Sequence, residues 1–215
     1  MGFLKEVDAD ILSFNDSNPV ELDTLRLIFY EVNSDLSLSC IGNEVNKRYH
    51  TLDSYLCEEA DGRGLNSSLH FEYILEQGND GFWQNDIGET MRFCKSIGDI
   101  IEPDQYYKYI LCNEETIADG KFLGIVTRNR HCREANLNGI KECLLSILTY
   151  IDGFFFFDDD TNVEVVMPRL GESDGVPYKE VREAIKDVLG SSDGVNRLRV
   201  IVCGGGENFG QNETV

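Results

Sequence analysis

Basic residues are scarce in this 215-residue sequence: 19 Lys and Arg face 39 Asp and Glu, and the formal net charge is −20. Such a surface repels nucleic acids and anionic membranes, so direct binding to either is not expected. The acidic residues are spread along the chain, which favours a solvated surface over mimicry of DNA for a basic partner. An anionic ligand would therefore have to be bound by backbone N–H groups.

Histidines are few, and closely spaced cysteine pairs are missing. His50, His70 and His131 are scattered, so no Ser/His/Asp or Cys/His catalytic arrangement can be argued. The seven cysteines are odd in number, dispersed and without a Cys-x-x-Cys pair. This pattern predicts free thiols in a reducing compartment, with neither a disulfide frame nor a zinc site. We expect no cofactor and no metal.

Long apolar segments are absent as well. No apolar run is long enough to span a membrane, which takes about 18 residues or more. The acidic residues Glu6 and Asp8 interrupt the start of the chain before an apolar stretch can form, which argues against a secretory signal. These absences predict a soluble, globular, cytoplasmic protein.

Apolar residues are nevertheless plentiful, at 41% of the chain. Length and composition predict a single domain over residues 1–203 and a flexible tail over 204–215. Glycines and aromatic residues are interspersed between about 58 and 97, which predicts an insertion whose elements the pattern does not define.

Strands and helices alternate in the second half of the chain, which predicts an α/β fold with a largely parallel sheet covered by helices. Apolar residues at helical spacing predict helices over Asn43–Leu56 and Ala135–Ile151. A third predicted helix follows Pro177, a residue suited to a first helical turn. The predicted strands are Val7–Phe14, Leu25–Val32, Tyr107–Cys112, Phe122–Thr127, Phe154–Phe157, Val163–Met167 and Leu198–Cys203.

The segment Val165–Tyr178 is the most informative about a ligand. It predicts an apolar strand that ends in a loop with two glycines, Gly171 and Gly175, and leads directly into a helix. Backbone N–H groups at such a junction can face a phosphate. An anion site at this junction is the leading interpretation.

Two further patterns are less specific. Asp158–Asn162 has the spacing of the first ligands of a calcium loop, but Val163 and Arg169 occupy positions that need Gly and Glu, so a solvated turn is favoured. The segment 127–133 gathers three arginines around His131. It could lie near a phosphate or a nucleic-acid backbone, or neutralise neighbouring carboxylates.

Four segments, in the same order, resemble those of macrodomains, which bind ADP-ribose. The likeness is strongest to the branch with DNA ADP-ribosyl glycohydrolase antitoxins and terminal ADP-ribose protein glycohydrolases. The first segment, Ala9–Leu12, is similar to the family's Gly-Asp-Ile start. This resemblance implies that Asp10 binds the adenine amino group and that Ile11 supplies a neighbouring backbone contact.

The second segment, Val32–Tyr49, resembles the family's strand, asparagine, glycine-rich loop and helix. It implies that Asn33 faces the distal ribose. The residues that would approach the diphosphate are Ser39, Cys40, Ile41 and Gly42. Only one glycine of the family's loop remains, and glycines are what allow a backbone to approach a diphosphate closely.

The third segment, Ile125–Arg133, resembles the stretch in which related glycohydrolases carry a Thr-Lys pair whose lysine attacks the anomeric carbon. Arg128 or Asn129 takes the place of the lysine. An arginine stays protonated at ordinary pH and cannot form that adduct.

The fourth segment, Met167–Val181, resembles the family's second ligand loop. Asp174 matches an aspartate that some members use as acid or base, although a turn-capping aspartate is the favoured alternative. The residues of this segment that would bind the diphosphate are Gly171, Glu172, Ser173 and Gly175. We name residues 171–175 the second loop.

The resemblance as a whole implies a three-layer macrodomain-like fold, with a mixed, largely parallel sheet flanked by helices. It implies binding of ADP-ribose or an ADP-ribosylated macromolecule and leaves ADP-ribosyl glycohydrolase activity open, with water activated by Asp174 and charge stabilised by Arg128. The alternative is a degenerate, catalytically inactive macrodomain that binds a protein partner through its acidic surface or aromatic insertion. The lost glycines and missing lysine favour the alternative, whereas Asp10, Asn33 and the second loop favour a ligand.

Overall fold

The computed structural model describes residues 3–21, 23–67, 70–75, 81–103, 107–110, 117–129, 134–157 and 161–204. Three sequence predictions lie outside the described residues. They concern Arg130, His131 and Arg133 of the arginine cluster, the acidic residues 158–160, and the tail beyond Gly204.

The described residues form strands and helices that alternate along much of the chain. In chain order they are β1 (Leu4–Val7), α1 (Ile11–Ser17), β2 (Thr24–Asn33), α2 (Cys40–Tyr49), α3 (Thr51–Gly62), β3 (Phe71–Leu75), β4 (Gly81–Asn85), β5 (Thr90–Met91), β6 (Ile100–Ile101), β7 (Tyr107–Ile110), β8 (Ile117–Arg128), α4 (Leu137–Phe157), β9 (Asn162–Pro168), α5 (Tyr178–Leu189) and β10 (Leu198–Cys203).

Seven of these strands form the main sheet. β1, β10, β9, β2 and β8 are neighbours in that order and run parallel. β6 and β7 pair antiparallel with β8 at one edge. The strands β3, β4 and β5 form a separate antiparallel sheet, which we name the small sheet. The predicted α/β fold with a mixed, largely parallel sheet is confirmed.

Helices cover both faces of the main sheet and complete three layers. Along β2, Leu27 and Phe29 pack in the cluster that contains α4 and α5, whereas Ile28 and Tyr30 pack in the cluster that contains α1, α2, α3 and the small sheet. All four side chains are buried, because a parallel strand between two helical layers has no face left for water. This burial explains the near-continuous apolar run of β2.

The start of the chain differs from the predicted strand over Val7–Phe14. β1 ends at Val7 and α1 begins at Ile11. The Asp10 side chain accepts hydrogen bonds from the N–H groups of Leu12 and Ser13, which satisfies two donors of the first helical turn. The aspartate cap therefore favours a helix, and not a strand, for the apolar residues that follow it.

The aromatic run Phe154–Phe157 was predicted as a buried or edge strand, and this prediction is wrong. α4 extends through it to Phe157. Ile151 and Phe155 lie one helical turn apart and are both buried in the core beside the main sheet. The apolar face of the predicted helix Ala135–Ile151 therefore continues for one more turn.

The helix predicted over Asn43–Leu56 is two helices that meet at His50. The backbone of His50 is left-handed, with a φ of 51°, and this ends α2. Asn46 bridges the junction, since its Oδ1 accepts the N–H groups of Leu52 at 2.8 Å and of Asp53 at 3.1 Å. The helix predicted after Pro177 is confirmed as α5, and strands predicted in the second half match β8, β9 and β10.

Candidate ligand site at the carboxyl edge of the main sheet

The predicted site residues follow the carboxyl ends of parallel strands. Asp10 follows β1, Gly171 follows β9, Asn33 ends β2 and Arg128 ends β8. Because these strands run parallel, all four residues lie at the same edge of the main sheet. In open α/β sheets, ligands bind outside the carboxyl ends of the strands.

Asp10 is exposed at this edge. Its Oδ1 accepts the N–H of Leu12 and of Ser13 at 2.9 Å each, and its Oδ2 accepts the Ser13 hydroxyl at 2.6 Å. Partial burial acts to raise the pKa of the carboxyl, but these hydrogen bonds outweigh it and the pKa lies below its usual range. The side chain is therefore charged and fixed in direction. Ile11 is buried, which leaves only its backbone for a ligand.

The segment predicted to approach the diphosphate is the first turn of α2 rather than a loop. Ser39 caps this helix and accepts the N–H of Gly42 on its Oγ at 3.3 Å. Gly42 is buried, and a Cβ on it would lie 3.3 Å from side-chain carbons of Leu38. Packing against Leu38 therefore accounts for this glycine. Cys40 is exposed and Ile41 half-buried at the start of the helix.

Asn33 lies in a tight turn between β2 and α2, which we name the β2–α2 turn (residues 33–39). Its carbonyl accepts the N–H of Leu36 at 2.8 Å, and its N–H donates to the carbonyl of Ser37 at 3.1 Å. Its side-chain Nδ2 donates to the Ser37 hydroxyl at 2.8 Å. Both the backbone and the side chain of Asn33 are therefore held in place.

The second loop depends on its two glycines. Gly171 has a φ of 72° and Gly175 a φ of 78°, values that residues with a Cβ adopt only under strain. Between them, Glu172–Asp174 form a short 3₁₀ turn in which Glu172 and Ser173 are exposed. A Cβ on Gly171 would also lie 2.6 Å from Cδ1 of Ile140 in α4. The first glycine is therefore required by both conformation and packing.

Arg128 and Asp174, which are 46 residues apart, meet in an ion pair. Arg128 Nε donates to Asp174 Oδ2 at 2.6 Å, and its Nη2 donates to the Ser173 hydroxyl. The N–H of Ala135 donates to the same Asp174 oxygen at 2.9 Å. Both charged side chains are largely buried, at 15% and 12% exposed. They tie the second loop to the end of β8.

Glu31 is a site residue that sequence reasoning missed. It is buried in β2, and its Oε1 accepts the N–H of Gly171 at 3.0 Å. Burial raises the pKa of this carboxyl, as does the nearby Asp174 charge. The pKa is lowered, to a smaller extent, by the Gly171 N–H, the Arg128 charge and the Thr127 hydroxyl. The Thr127 hydroxyl lies near Glu31 without a hydrogen bond of good geometry. A lone acidic residue in an apolar strand was the available signal.

The described residues include no metal-ligand cluster, and two of their buried thiols are poor nucleophiles. Within these ranges, no three His, Cys, Asp or Glu side chains lie together as a metal site would require. Burial raises the pKa of the Cys143 thiol and of the Cys203 thiol to about 12, so neither is suited to act as a nucleophile. None of the described helices combines the length and the apolar character that crossing a membrane requires.

A cavity of about 470 Å³ lies at the opposite edge of the main sheet. Its walls include Thr24, Asn162 and Leu198, the first residues of β2, β9 and β10. Arg199 lies in the same wall and is 3.4 Å from Glu164. None of the predicted site residues lines this cavity, so it is separate from the carboxyl edge.

Comparisons with known proteins identify the fold. No family model matches the sequence, and no curated protein matches it. Two solved structures resemble the chain along 94% of its length. One is the macrodomain of Thermus aquaticus DarG, with 17% identity, a TM-score of 0.53 and 99% of that chain covered. The other is the macrodomain of Mycobacterium tuberculosis DarG, with 13% identity, a TM-score of 0.50 and 98% covered. The chain therefore has a macrodomain fold.

Proposed function

We propose that the chain binds ADP-ribose or a related nucleotide across the carboxyl edge of the main sheet. The observation that supports this best is the order of the site residues along that edge. Asp10 lies at β1, the second loop follows β9, and Asn33 and Arg128 lie farther along at β2 and β8. This is the order of adenine, diphosphate and distal ribose in ADP-ribose. Four strand spacings separate β1 from β8, roughly 19 Å, which suits an extended nucleotide.

In this arrangement each part of the ligand has a defined partner. The Asp10 carboxylate would accept a hydrogen bond from the adenine amino group, and the Ile11 backbone would lie beside it. The second loop and the first turn of α2 would present backbone N–H groups to the diphosphate, which compensates for the absence of a basic field. Asn33 would bind a hydroxyl of the distal ribose.

The same geometry favours binding over hydrolysis. Arg128 keeps its proton and cannot act as the attacking amine. Asp174 Oδ2 accepts hydrogen bonds from both Arg128 and the Ala135 N–H, so the carboxylate already serves to hold the second loop. Water activated by Asp174 is the remaining hydrolytic route. We therefore propose a protein that binds ADP-ribose with little or no turnover.

Calorimetric titration with ADP-ribose tests this proposal. Asp10→Asn should weaken binding about tenfold or more, because the amide replaces one of the two acceptor oxygens of the carboxylate with an NH₂ donor and removes its charge. Asparagine caps helices as well as aspartate does, so the melting temperature should change little. Asp8→Asn, which removes a charge from a neighbouring exposed position, is the matched control. Absence of heat at millimolar ADP-ribose would contradict the proposal.

A second candidate function is protein interaction without a nucleotide. Two large apolar side chains are exposed at the small sheet, Leu75 of β3 at 68% and Ile87 between β4 and β5 at 63%. The first turn of α2 also retains only one glycine, Gly42, where a diphosphate loop uses several. This candidate predicts no response to ADP-ribose, and a partner interaction that Leu75→Ser weakens and Asp10→Asn does not.

A further inference from the structure

Two hydrogen bonds join the small sheet directly to Asp35 of the β2–α2 turn. The Tyr73 hydroxyl in β3 donates to Asp35 Oδ2. The indole Nε1 of Trp83 in β4 donates to the Asp35 carbonyl at 3.1 Å. Asp35 is itself buried, at 5% exposed, so these bonds are shielded from water.

The hydrogen bonds continue from Asp35 to Asn33. Asp35 Oδ1 accepts the hydroxyl of Ser37 at 2.7 Å and its N–H at 3.1 Å. A serine hydroxyl has a single proton, which Ser37 donates to Asp35. The Ser37 oxygen therefore acts as the acceptor for Asn33 Nδ2 at 2.8 Å. This order points the Asn33 NH₂ group toward Ser37. The Oδ1 atom is thereby left on the opposite side of the amide, as an acceptor.

The backbone of the turn needs this support. Leu36 has a φ of 66°, a left-handed conformation that its Cβ disfavours. Its side chain is fully buried in the core cluster shared with α2 and α3. Packing and the bonds at Asp35 together hold a turn that the backbone alone would not adopt.

The position of Tyr73 is determined by a glycine on the adjacent strand. Gly81 in β4 is buried, and a Cβ there would lie 2.0 Å from the Tyr73 hydroxyl oxygen. The Tyr73 ring also packs against the Trp83 ring, with centroids 5.3 Å apart. The absence of a side chain at Gly81 therefore leaves room for the Tyr73 phenol to reach Asp35.

We propose that Tyr73 is a positioning residue for Asn33, acting through Asp35 and Ser37. By this connection the small sheet sets the affinity for the distal, ribose-bearing end of the ligand. The inference rests on the proposed function, since it gives Asn33 the role of a ligand contact. Among the described residues, the side-chain hydrogen bonds of Asp10 go to Leu12 and Ser13, so the adenine end is independent of this connection.

Comparison of two ligands in one variant tests the inference. Tyr73→Phe should weaken ADP-ribose binding about fivefold, because one hydrogen bond is lost, and should leave AMP binding within about twofold. Ser37→Ala should do the same, and the double variant should be little weaker than either single one, because both changes break the same connection. Phe82→Leu is the control, since Phe82 lies on the other face of the small sheet. Equal losses for both ligands would overturn the inference.

A measurement without ligand separates this inference from the proposed function. In nuclear magnetic resonance spectra, the side-chain NH₂ signals of Asn33 should shift and exchange faster in Tyr73→Phe than in Phe82→Leu. Unchanged Asn33 signals in Tyr73→Phe would overturn the inference, whatever the protein binds. A changed Asn33 signal in a protein that binds neither ADP-ribose nor AMP would support the connection and reject the proposed function.

Discussion

The β2–α2 turn and the second loop follow paired strands, β2 and β9, yet they are held in different ways. The turn places Leu36 in a left-handed conformation and depends on bonds that Tyr73 and Trp83 make to Asp35. The second loop has glycines at both left-handed positions and is held by the side chains of Glu31 and Arg128. Contacts from a separate sheet thus stabilise the β2–α2 turn, whereas glycine backbone freedom and the Arg128 ion pair stabilise the second loop. We expect the stability of the second loop to depend on pH through Glu31, because burial raises the pKa of this carboxyl.

The largest effect is expected from Gly171→Ala. Alanine would have to adopt the unfavourable φ of 72°, and its Cβ would lie 2.6 Å from Ile140 Cδ1. Strain and overpacking together should lower the free energy of unfolding by about 3 kcal/mol. Gly175→Ala is the control, since its φ is also positive but no atom lies within 4 Å of its Cβ position, and it should cost only about 1 kcal/mol. Urea unfolding of both variants measures the difference; equal losses would show that packing under the second loop is loose.

Asp174→Asn should have the next largest effect. It leaves the largely buried Arg128 without its carboxylate, which should lower the free energy of unfolding by about 2 kcal/mol. Glu172→Gln removes a charge from the same loop, but Glu172 is 47% exposed in its pair with Arg169 and should contribute less than about 0.5 kcal/mol. Denaturant titrations at low and high salt provide the measurement. Salt should reduce the effect of Glu172→Gln, because it screens the exposed pair, and should leave the effect of Asp174→Asn largely unchanged. A similar loss in both variants would mean that the Arg128 pair behaves as a surface pair.

In the β2–α2 turn, Ser37→Ala should lower the free energy of unfolding by about 1 kcal/mol, because Asn33 and Asp35 each lose a hydrogen-bond partner. Unfolding curves of the variant and of the wild type in urea provide the measurement. An unchanged free energy of unfolding would show that Ser37 does not support the turn.

The smallest change in stability is expected from Glu31→Gln, which keeps an acceptor for the Gly171 N–H. Burial raises the pKa of Glu31 above its ordinary value of 4.5, so the folded protein holds this proton more tightly than the unfolded chain. Its stabilising contribution is complete below pH 4.5 and is lost as the pH rises through the folded pKa. The variant should therefore gain stability relative to the wild type between acidic and neutral pH. Parallel stability curves across this range would contradict the prediction.

Asp10 provides the opposite sign for the same experiment. Its pKa lies below the ordinary value of 3.8, so its contribution is present above that value and is lost as the pH falls through the folded pKa. The small margin by which the wild type exceeds Asp10→Asn at neutral pH should therefore vanish in acid. Glu31→Gln also converges with the wild type in acid, but there the variant is the more stable protein at neutral pH.

The second loop was the part of the site most open to prediction. Gly171, Gly175 and Pro177 punctuate an apolar strand and an amphipathic helix, and each acts on the backbone of its own neighbourhood. By contrast, Ser39–Gly42 was interpreted as a loop and is the start of a helix. A serine looks the same in sequence whether a loop or a helix follows it, and in the structure Ser39 accepts the Gly42 N–H and caps α2.

The sequence alone determined the alternation of strands and helices, the central apolar strands and the local form of the second loop, because hydrophobic periodicity and backbone preference are properties of short segments. Only the tertiary structure decided which of the polar residues cooperate. Glu31 with Gly171, Arg128 with Asp174, and Asp35 with Tyr73 lie 140, 46 and 38 residues apart and meet through strand order and the docking of the small sheet. Such partners leave no periodic trace in the sequence, since each acquires its role from burial beside the other.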